Sequence, residues 1–316
     1  MKTDLKNGPQ LKTLKEACEA GDFIITAEAA PPKGSDIGPF CERAEKLLGR
    51  VHALNVTDNQ AAIMRASSLA MSKILLDMGH DPVFQVTGRD RNRLAIQSDL
   101  LGAQILGIRN VLSLTGDYVT VGNQRETKPV FDLESVQILN VLADLNVGRD
   151  MVGNALKGPT NLFPGAVAIP ESDSFDALLI KFQKKVMAGA KFFQTQAVFN
   201  PDQFKRFMDF ARRFDVKIIA GILLLRSEKM ATYVTRHIPG IRVPDPLIQK
   251  LAQAGKEGGL EAGLDIAVST IEAVRGMCDG VHIMAIGAEK QVPVILDRAD
   301  LRPVGADAPR PVEGVA

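Results

Sequence analysis

The residues of this 316-residue chain best suited to chemistry are acids and amides standing at the ends of short apolar runs. Glu28 lies in Phe23-Ile-Ile-Thr-Ala-Glu-Ala-Ala-Pro-Pro32. That run is rich in β-branched residues, too short for a stable helix, and stopped by two prolines that cannot donate to a ladder. It reads as a buried strand ending near Ala29, with Glu28 at its carboxyl end. Ligands bind at that edge of a parallel α/β sheet, so an acid there is placed for chemistry. Glu28 is as readily the partner of a Lys or Arg in a structural ion pair. Asp117 follows the run Asn110-Val-Leu-Ser-Leu-Thr115 and Gly116, and Gln194 and Gln196 end Lys191-Phe-Phe-Gln-Thr-Gln196. Thr57 and Asp58, and Gln85 and Thr87, end two further runs. Two acids and a glutamine suit proton transfer to a heterocycle, because a glutamine offers a donor and an acceptor to an amide-like ring edge such as that of a pterin, flavin or base. For Gln194 or Gln196 taken singly, a satisfied core amide is the more common role.

The elements that must position these residues alternate regularly. Strands are expected at 23–29, 53–57, 82–87, 110–115, 165–169, 191–196, 217–224 and 280–285. Helical spacing falls between them at 36–48, 63–78, 92–106, 132–145, 175–188, 201–214 and 227–235, then in a helix ending near Ala254 and another at 260–277. A short helix at 11–20, closed by Gly21, precedes the first strand and is placed to plug the far end of a barrel. Eight strand and helix units with no linker of low hydrophobicity fit an α/β (β/α)8 TIM barrel with an extra N-terminal helix, as one domain over 1–302. Residues 303–316, rich in Pro, Gly and Ala, lack periodicity and read as a flexible tail.

Composition narrows the function classes. The formal net charge is +1, so neither nucleic acid nor a membrane surface is expected as a partner. Cys18, Cys41 and Cys278 are scattered and odd in number, which excludes a disulfide framework and fits a reducing cytoplasm. The four histidines show no ligand spacing, so no metal is expected, and His282 in an apolar strand reads as a core residue. No stretch approaches the roughly 18 uninterrupted apolar residues of a membrane span. The N-terminus has no apolar signal region, so a cytoplasmic, unexported chain is expected.

Four segments in register resemble the methylenetetrahydrofolate reductase family: Ala27-Glu-Ala-Ala-Pro-Pro32, Leu112-Ser-Leu-Thr-Gly-Asp117, Gly189-Ala-Lys-Phe-Phe-Gln-Thr-Gln-Ala-Val-Phe199 and Ala220-Gly-Ile-Leu223. The likeness runs from Ile24 to about Ile286. It implies a flavin-containing barrel that reduces 5,10-methylenetetrahydrofolate to 5-methyltetrahydrofolate. Glu28 then falls on the general acid, Asp117 on an acid near flavin and pterin, and Gln196 on a folate contact. Thr57, Gln85, Thr115, Gly116, Asp117, Ala168 and Lys185 fall on or near flavin-binding positions, for FAD or, alternatively, FMN. The apolar ends Leu223-Leu-Leu225 and Met284-Ala-Ile286 suit stacking of a planar ring and put Leu223 on the folate side. The resemblance also implies NADH or NADPH as electron donor and a homo-oligomer.

The chain departs from the family's common pattern at several places. Gln85 stands where many members have histidine, Ala29 and Ala30 replace an aromatic pair, and Ile169 replaces a tyrosine. Arg89-Asp-Arg-Asn-Arg93 offers cations for phosphates or, equally, a helix start with internal ion pairs. A different reading makes the chain a folate- and flavin-binding barrel subunit that depends on an electron-transfer partner for reduction.

Overall fold

Eight apolar runs pair side by side, all parallel, until the last meets the first. They are β1 Ile24–Ala29, β2 Ala53–Val56, β3 Pro82–Thr87, β4 Asn110–Leu114, β5 Phe163–Ala168, β6 Phe192–Ala197, β7 Lys217–Leu223 and β8 Gly280–Met284, in a closed barrel of that order. The computed structural model describes residues 11–304 apart from Arg125 and Pro239. Helices α1 Leu14–Ala20, α2 Gly38–Glu45, α3 Ser68–Asp77, α4 Arg93–Leu106, α5 Ser135–Asn146, α6 Phe175–Met187, α7 Pro201–Ala211, α8 Glu228–His237, α9 Asp245–Val274 and α10 Val292–Arg298 accompany the strands. The architecture is the (β/α)8 barrel that the strand and helix alternation implied.

Strand side chains alternate between two environments, as barrel geometry requires. Ile25, Ala27, Leu54, Val56, Phe84, Val86 and Phe193 join the large core between strands and helices. Ile24, Ala53, Val83, Leu112, Phe163, Phe192 and Ile219 form a separate cluster inside the barrel. Leu14 and Cys18 of α1 complete that cluster, so the N-terminal helix does plug the barrel. The plug is held by local and distant contacts together. Thr13 and Glu16 form a capping box, Gly21 closes the helix in the left-handed region, and the Leu14 amide donates to Asp81 Oδ2 at 2.7 Å.

Two segments differ from the sequence pattern, and a third follows it. The helix expected from Ile63 begins only at Ser68, because the chain before it is held in another shape. Asn59, Ala61 and Ala62 all have positive φ, Asn59 Oδ1 accepts from the Arg65 amide, and Arg65 donates to the Pro31 carbonyl. The two helices expected around 245–277 are both present within α9, separated at Gly255, whose φ 65 and ψ −164 are not helical. After β8, α10 continues the alternation that the sequence pattern left unassigned. The expected tail falls, from residue 305 onward, outside the described residues.

Two histidines carry a pH dependence of stability. His52 Nδ1 accepts from the Ile25 amide while its Nε2 is buried without a partner among the described residues. His80 Nε2 donates to the Ala44 carbonyl at 2.9 Å. Burial pushes both imidazoles below their ordinary value of 6.5. The unfolded chain therefore takes up protons first as pH falls. The stability these groups contribute is complete above pH 6.5 and is lost below it, by up to about 1.4 kcal/mol per pH unit for each histidine. Urea unfolding at about pH 7.5 and about pH 5.5 should show that decline. His52→Asn, which keeps an acceptor for Ile25, should flatten it; an unchanged slope in the variant would assign the loss to other groups.

Candidate active site

Because the strands run parallel, all their carboxyl ends meet at one mouth, and a cavity of about 540 Å³ opens there. That size suits a small-molecule site. The cavity starts at Glu28 and His282 near the barrel axis, passes Gln85, Thr115 and Gly116, and extends over Ala168 to Lys181, Phe182 and Lys185 on α6. Its lining therefore includes residues of both the barrel strands and a helix.

The floor is a polar layer inside an otherwise apolar barrel. Asn55 and Gln194 pair their amides reciprocally: Asn55 Nδ2 donates to Gln194 Oε1, and Gln194 Nε2 donates back to Asn55 Oδ1 at 3.0 Å. The same Gln194 Nε2 donates to Thr26 Oγ1 at 3.2 Å, and Thr26 Oγ1 lies 2.9 Å from His282 Nδ1. Register explains the last contact, since Thr26 and His282 face each other across the β1 and β8 pairing. Above this layer His282 Nε2 lies 3.9 Å from Glu28 Oε1. The Glu28 carboxyl has no hydrogen-bond partner among the described residues and faces the cavity.

The rim is built by ion pairs. Asp58, 3 % exposed, accepts from the Thr87 amide and hydroxyl, both at 2.9 Å, and from Arg91 at 2.6 Å, which ties the end of β2 to the end of β3. Arg89, 2 % exposed, donates to Asp90, to the Asn59 carbonyl and to the Asp117 carbonyl. Gly116, with φ 94, crosses directly above it, where a Cβ would meet the Arg89 Cβ at 2.8 Å. Arg93 pairs with Asp132. All three arginines of the 89–93 segment are therefore held by carboxylates, and internal pairing describes them better than a phosphate grip.

A bulge sets the far side of the mouth. The β6 and β7 register shifts between Gln194 and Ala197, and Gly221 permits it, because a Cβ there would meet the Thr195 carbonyl oxygen at 2.3 Å. Bulges re-aim side chains beside active sites. Here Gln194 is sealed in the floor and Gln196, partly exposed, lines the mouth. Lys185 Nζ donates to the Val167 carbonyl at 2.6 Å. Burial, aided by the charge of Lys181, lowers its ammonium from 10.5 to about 8.

Of the residues singled out from sequence, Glu28, Gln85, Thr115, Gly116, Asp117, Ala168, Lys185 and Gln196 all line this cavity. Two do not. Thr57 is buried with its hydroxyl unpartnered among the described residues, and Leu223 packs with Phe199 and Met284 in a separate apolar cluster. Asn55 and Thr26 were missed as site builders, and His282, read as core, is buried and also lines the cavity. The available signal was period-2 spacing: Thr26 stands two residues before Glu28, and Asn55 interrupts an apolar strand at the inward parity. Among the described residues no group of His, Cys, Asp and Glu could hold a metal ion, and no helix is long and apolar enough to cross a membrane.

The model of the family described as "Methylenetetrahydrofolate reductase" matches residues 13–300. Among curated proteins, the chain is 26% identical to "Methylenetetrahydrofolate reductase 2" of Schizosaccharomyces pombe, over 89% of this chain and 46% of that protein. It is 24% identical to "Probable methylenetetrahydrofolate reductase (NADPH)" of Caenorhabditis elegans, over 86% of this chain and 42% of that protein. The chain thus spans less than half the length of these curated relatives. Among solved structures, an "Uncharacterized protein from Clostridium thermocellum binds two copies of 5-methyl-5,6,7,8-tetrahydrofolic acid" shares the fold. Its TM-score is 0.64, with 18% identity over 90% of this chain and 95% of that one.

The reciprocal amide pair makes a non-additive prediction. Asn55→Leu or Gln194→Met alone leaves one buried amide without its partner and should destabilise the chain by about 1–3 kcal/mol. The double variant should cost less than the two single costs added, because neither amide is then orphaned. Urea unfolding of all four proteins measures this, and strict additivity would mean that the two amides act independently.

Proposed function

Because the chain belongs to the methylenetetrahydrofolate reductase family, we propose that it reduces 5,10-methylenetetrahydrofolate to 5-methyltetrahydrofolate with a bound flavin, and that Glu28 is its general acid. The observation that carries this reading is the placement of Glu28: a carboxyl without a hydrogen bond among the described residues, at the end of β1, facing a cavity that Asp117 and Gln196 also line. Substrate chemistry asks for such a group. The five-membered ring of the folate must open before its one-carbon unit can accept hydride, and the departing nitrogen must take a proton. Glu28 gives that proton from the floor side, and Gln196 presents a donor and an acceptor to the amide edge of the pterin. The Clostridium thermocellum neighbour offers a folate-binding precedent on this fold.

The residues present fit a flavin. Gln85 is 7 % exposed, lines the cavity and makes no side-chain hydrogen bond among the described residues, so its amide is free for a polar ring edge. Ala168, Ile169 and Phe182 give a flat ring an apolar wall, and Lys185 and Lys181 bring positive charge to the α6 end. Gln85, Thr115, Gly116, Asp117, Ala168 and Lys185 would hold the group, as FAD or as FMN. When bound, the flavin supplies the hydride.

NADH or NADPH is the proposed donor, entering the same mouth before the folate. A second reading, a barrel that takes its electrons from a partner protein, draws on Ala29 and Ala30. They are small residues at the mouth and offer no aromatic surface for a nicotinamide. The unpaired cysteines fit a reducing cytoplasm.

Two measurements test these assignments. Glu28→Gln should still bind flavin and be reduced by donor, yet its oxidation by 5,10-methylenetetrahydrofolate in rapid mixing should slow by roughly 10²-fold or more. An unchanged rate would remove Glu28 from the proton step. Anaerobic mixing of the flavin-loaded chain with NADH and with NADPH should bleach the flavin promptly with at least one of them. No bleaching, alongside normal reduction by dithionite, would point to the partner protein.

A further inference from the structure

We propose that His282 is a positioning residue for Glu28, held by the buried amide layer in the tautomer whose proton lies on Nε2. The inference rests on the reading of Glu28 as the general acid and adds the group that prepares it.

Gln194 Oε1 accepts a hydrogen bond from Asn55 Nδ2, which fixes the orientation of the Gln194 amide. Gln194 Nε2 then donates to Asn55 Oδ1 at 3.0 Å and to Thr26 Oγ1 at 3.2 Å, with His282 Nδ1 farther off at 3.5 Å. Since Thr26 Oγ1 accepts from Gln194, its own proton must go elsewhere. The nearest acceptor is His282 Nδ1 at 2.9 Å, and the alternative, the Val281 carbonyl, lies at 3.5 Å. The shorter contact assigns the Thr26 proton to His282 Nδ1, and a neutral ring then carries its own proton on Nε2. That atom is the one 3.9 Å from Glu28 Oε1.

The distance has a meaning for the reaction. At 3.9 Å the two groups are not yet hydrogen-bonded. Once Glu28 has given its proton to the substrate nitrogen, the new carboxylate needs a donor. A swing of roughly 1 Å brings it to the length of a charge-assisted bond with the Nε2 proton. His282 thus stabilises the conjugate base where it stands at the floor of the cavity, while no proton leaves the imidazole. The imidazole itself is 3 % exposed, so water does not compete for that bond.

Two sets of variants test this. In the isolated chain labelled with 15N-histidine, the His282 ring, identified by its loss in His282→Asn, should show the Nε2–H pattern, and Thr26→Val should turn it into a mixture of tautomers. A wild-type ring protonated on Nδ1 overturns the proposal. In the folate-dependent step, His282→Gln keeps an N–H near the Nε2 position and should stay close to wild type. His282→Asn keeps only the Nδ1-side contact and should lower kcat by roughly 10-fold with little change in KM, as for loss of one hydrogen bond to a charged group. Equal losses in both variants, or a loss confined to KM, would leave His282 a purely structural residue. Should the wild-type chain turn over no folate at all, the proposed reaction fails, and the tautomer measurement still decides the state of His282.

Discussion

The contact between Thr26 and His282 exists only because the barrel closes. The two residues are 256 positions apart, on the first and last strands, and they meet because β8 pairs with β1 in a register that sets them side by side. On that contact rests a layer of four polar side chains across the interior, Asn55, Gln194, Thr26 and His282, all at most 3 % exposed. A half-satisfied buried network is worse than an apolar core, since each orphaned group carries its desolvation cost. This layer is joined throughout, and so it specifies one register for strands 1, 2, 6 and 8 together. Below it the barrel is filled by hydrocarbon and by Phe163 stacked on Phe192; above it the cavity begins.

The mouth is organised by a different force. Asp58 gathers Arg91, Thr87 and Ser68, and Arg89 reaches the backbone of both Asn59 and Asp117. These buried ion pairs hold the loops after β2 and β4 in shapes that the chain alone disfavours. Asn59, Ala61, Ala62 and Phe131 sit at positive φ, where a side chain crowds its own backbone, at a cost of order 1–3 kcal/mol each. The loops also brace each other, since Gly122 passes so close to the Ala62 carbonyl that a Cβ would meet its oxygen at 1.9 Å. Bracing of this kind fixes the rim of the cavity in one shape.

Much of the fold was legible before the structure. Period-2 apolar runs, the prolines after β1, Gly107 closing α4 and Asn92 capping it are local signals, and they located β3 and nearly every other strand within two residues. The candidate site was legible to the extent that it lies at strand ends, as Glu28, Gln85, Thr115, Asp117 and Gln196 do. It was illegible where long-range packing overrode a local pattern. The residues from Ile63 have helical composition, yet hydrogen bonds to Asn59 and Pro31 hold them irregular up to Ser68. Gln194 and Gln196 look equivalent in the sequence, and only the bulge beside Gly221 separates the buried amide from the one at the mouth.

What the sequence by itself determined is the count, direction and order of the elements, and that Glu28 stands at the carboxyl end of the first strand. Those depend on hydrogen bonding and burial within a few residues, which a short pattern encodes. Only the tertiary structure decided which polar groups touch. It paired Asn55 with Gln194 and Thr26 with His282, turned the three arginines of 89–93 onto carboxylates, and left the Glu28 carboxyl facing the cavity with no hydrogen bond among the described residues. Such pairings follow from strand register and barrel closure, and those are set by the summed packing of the whole chain.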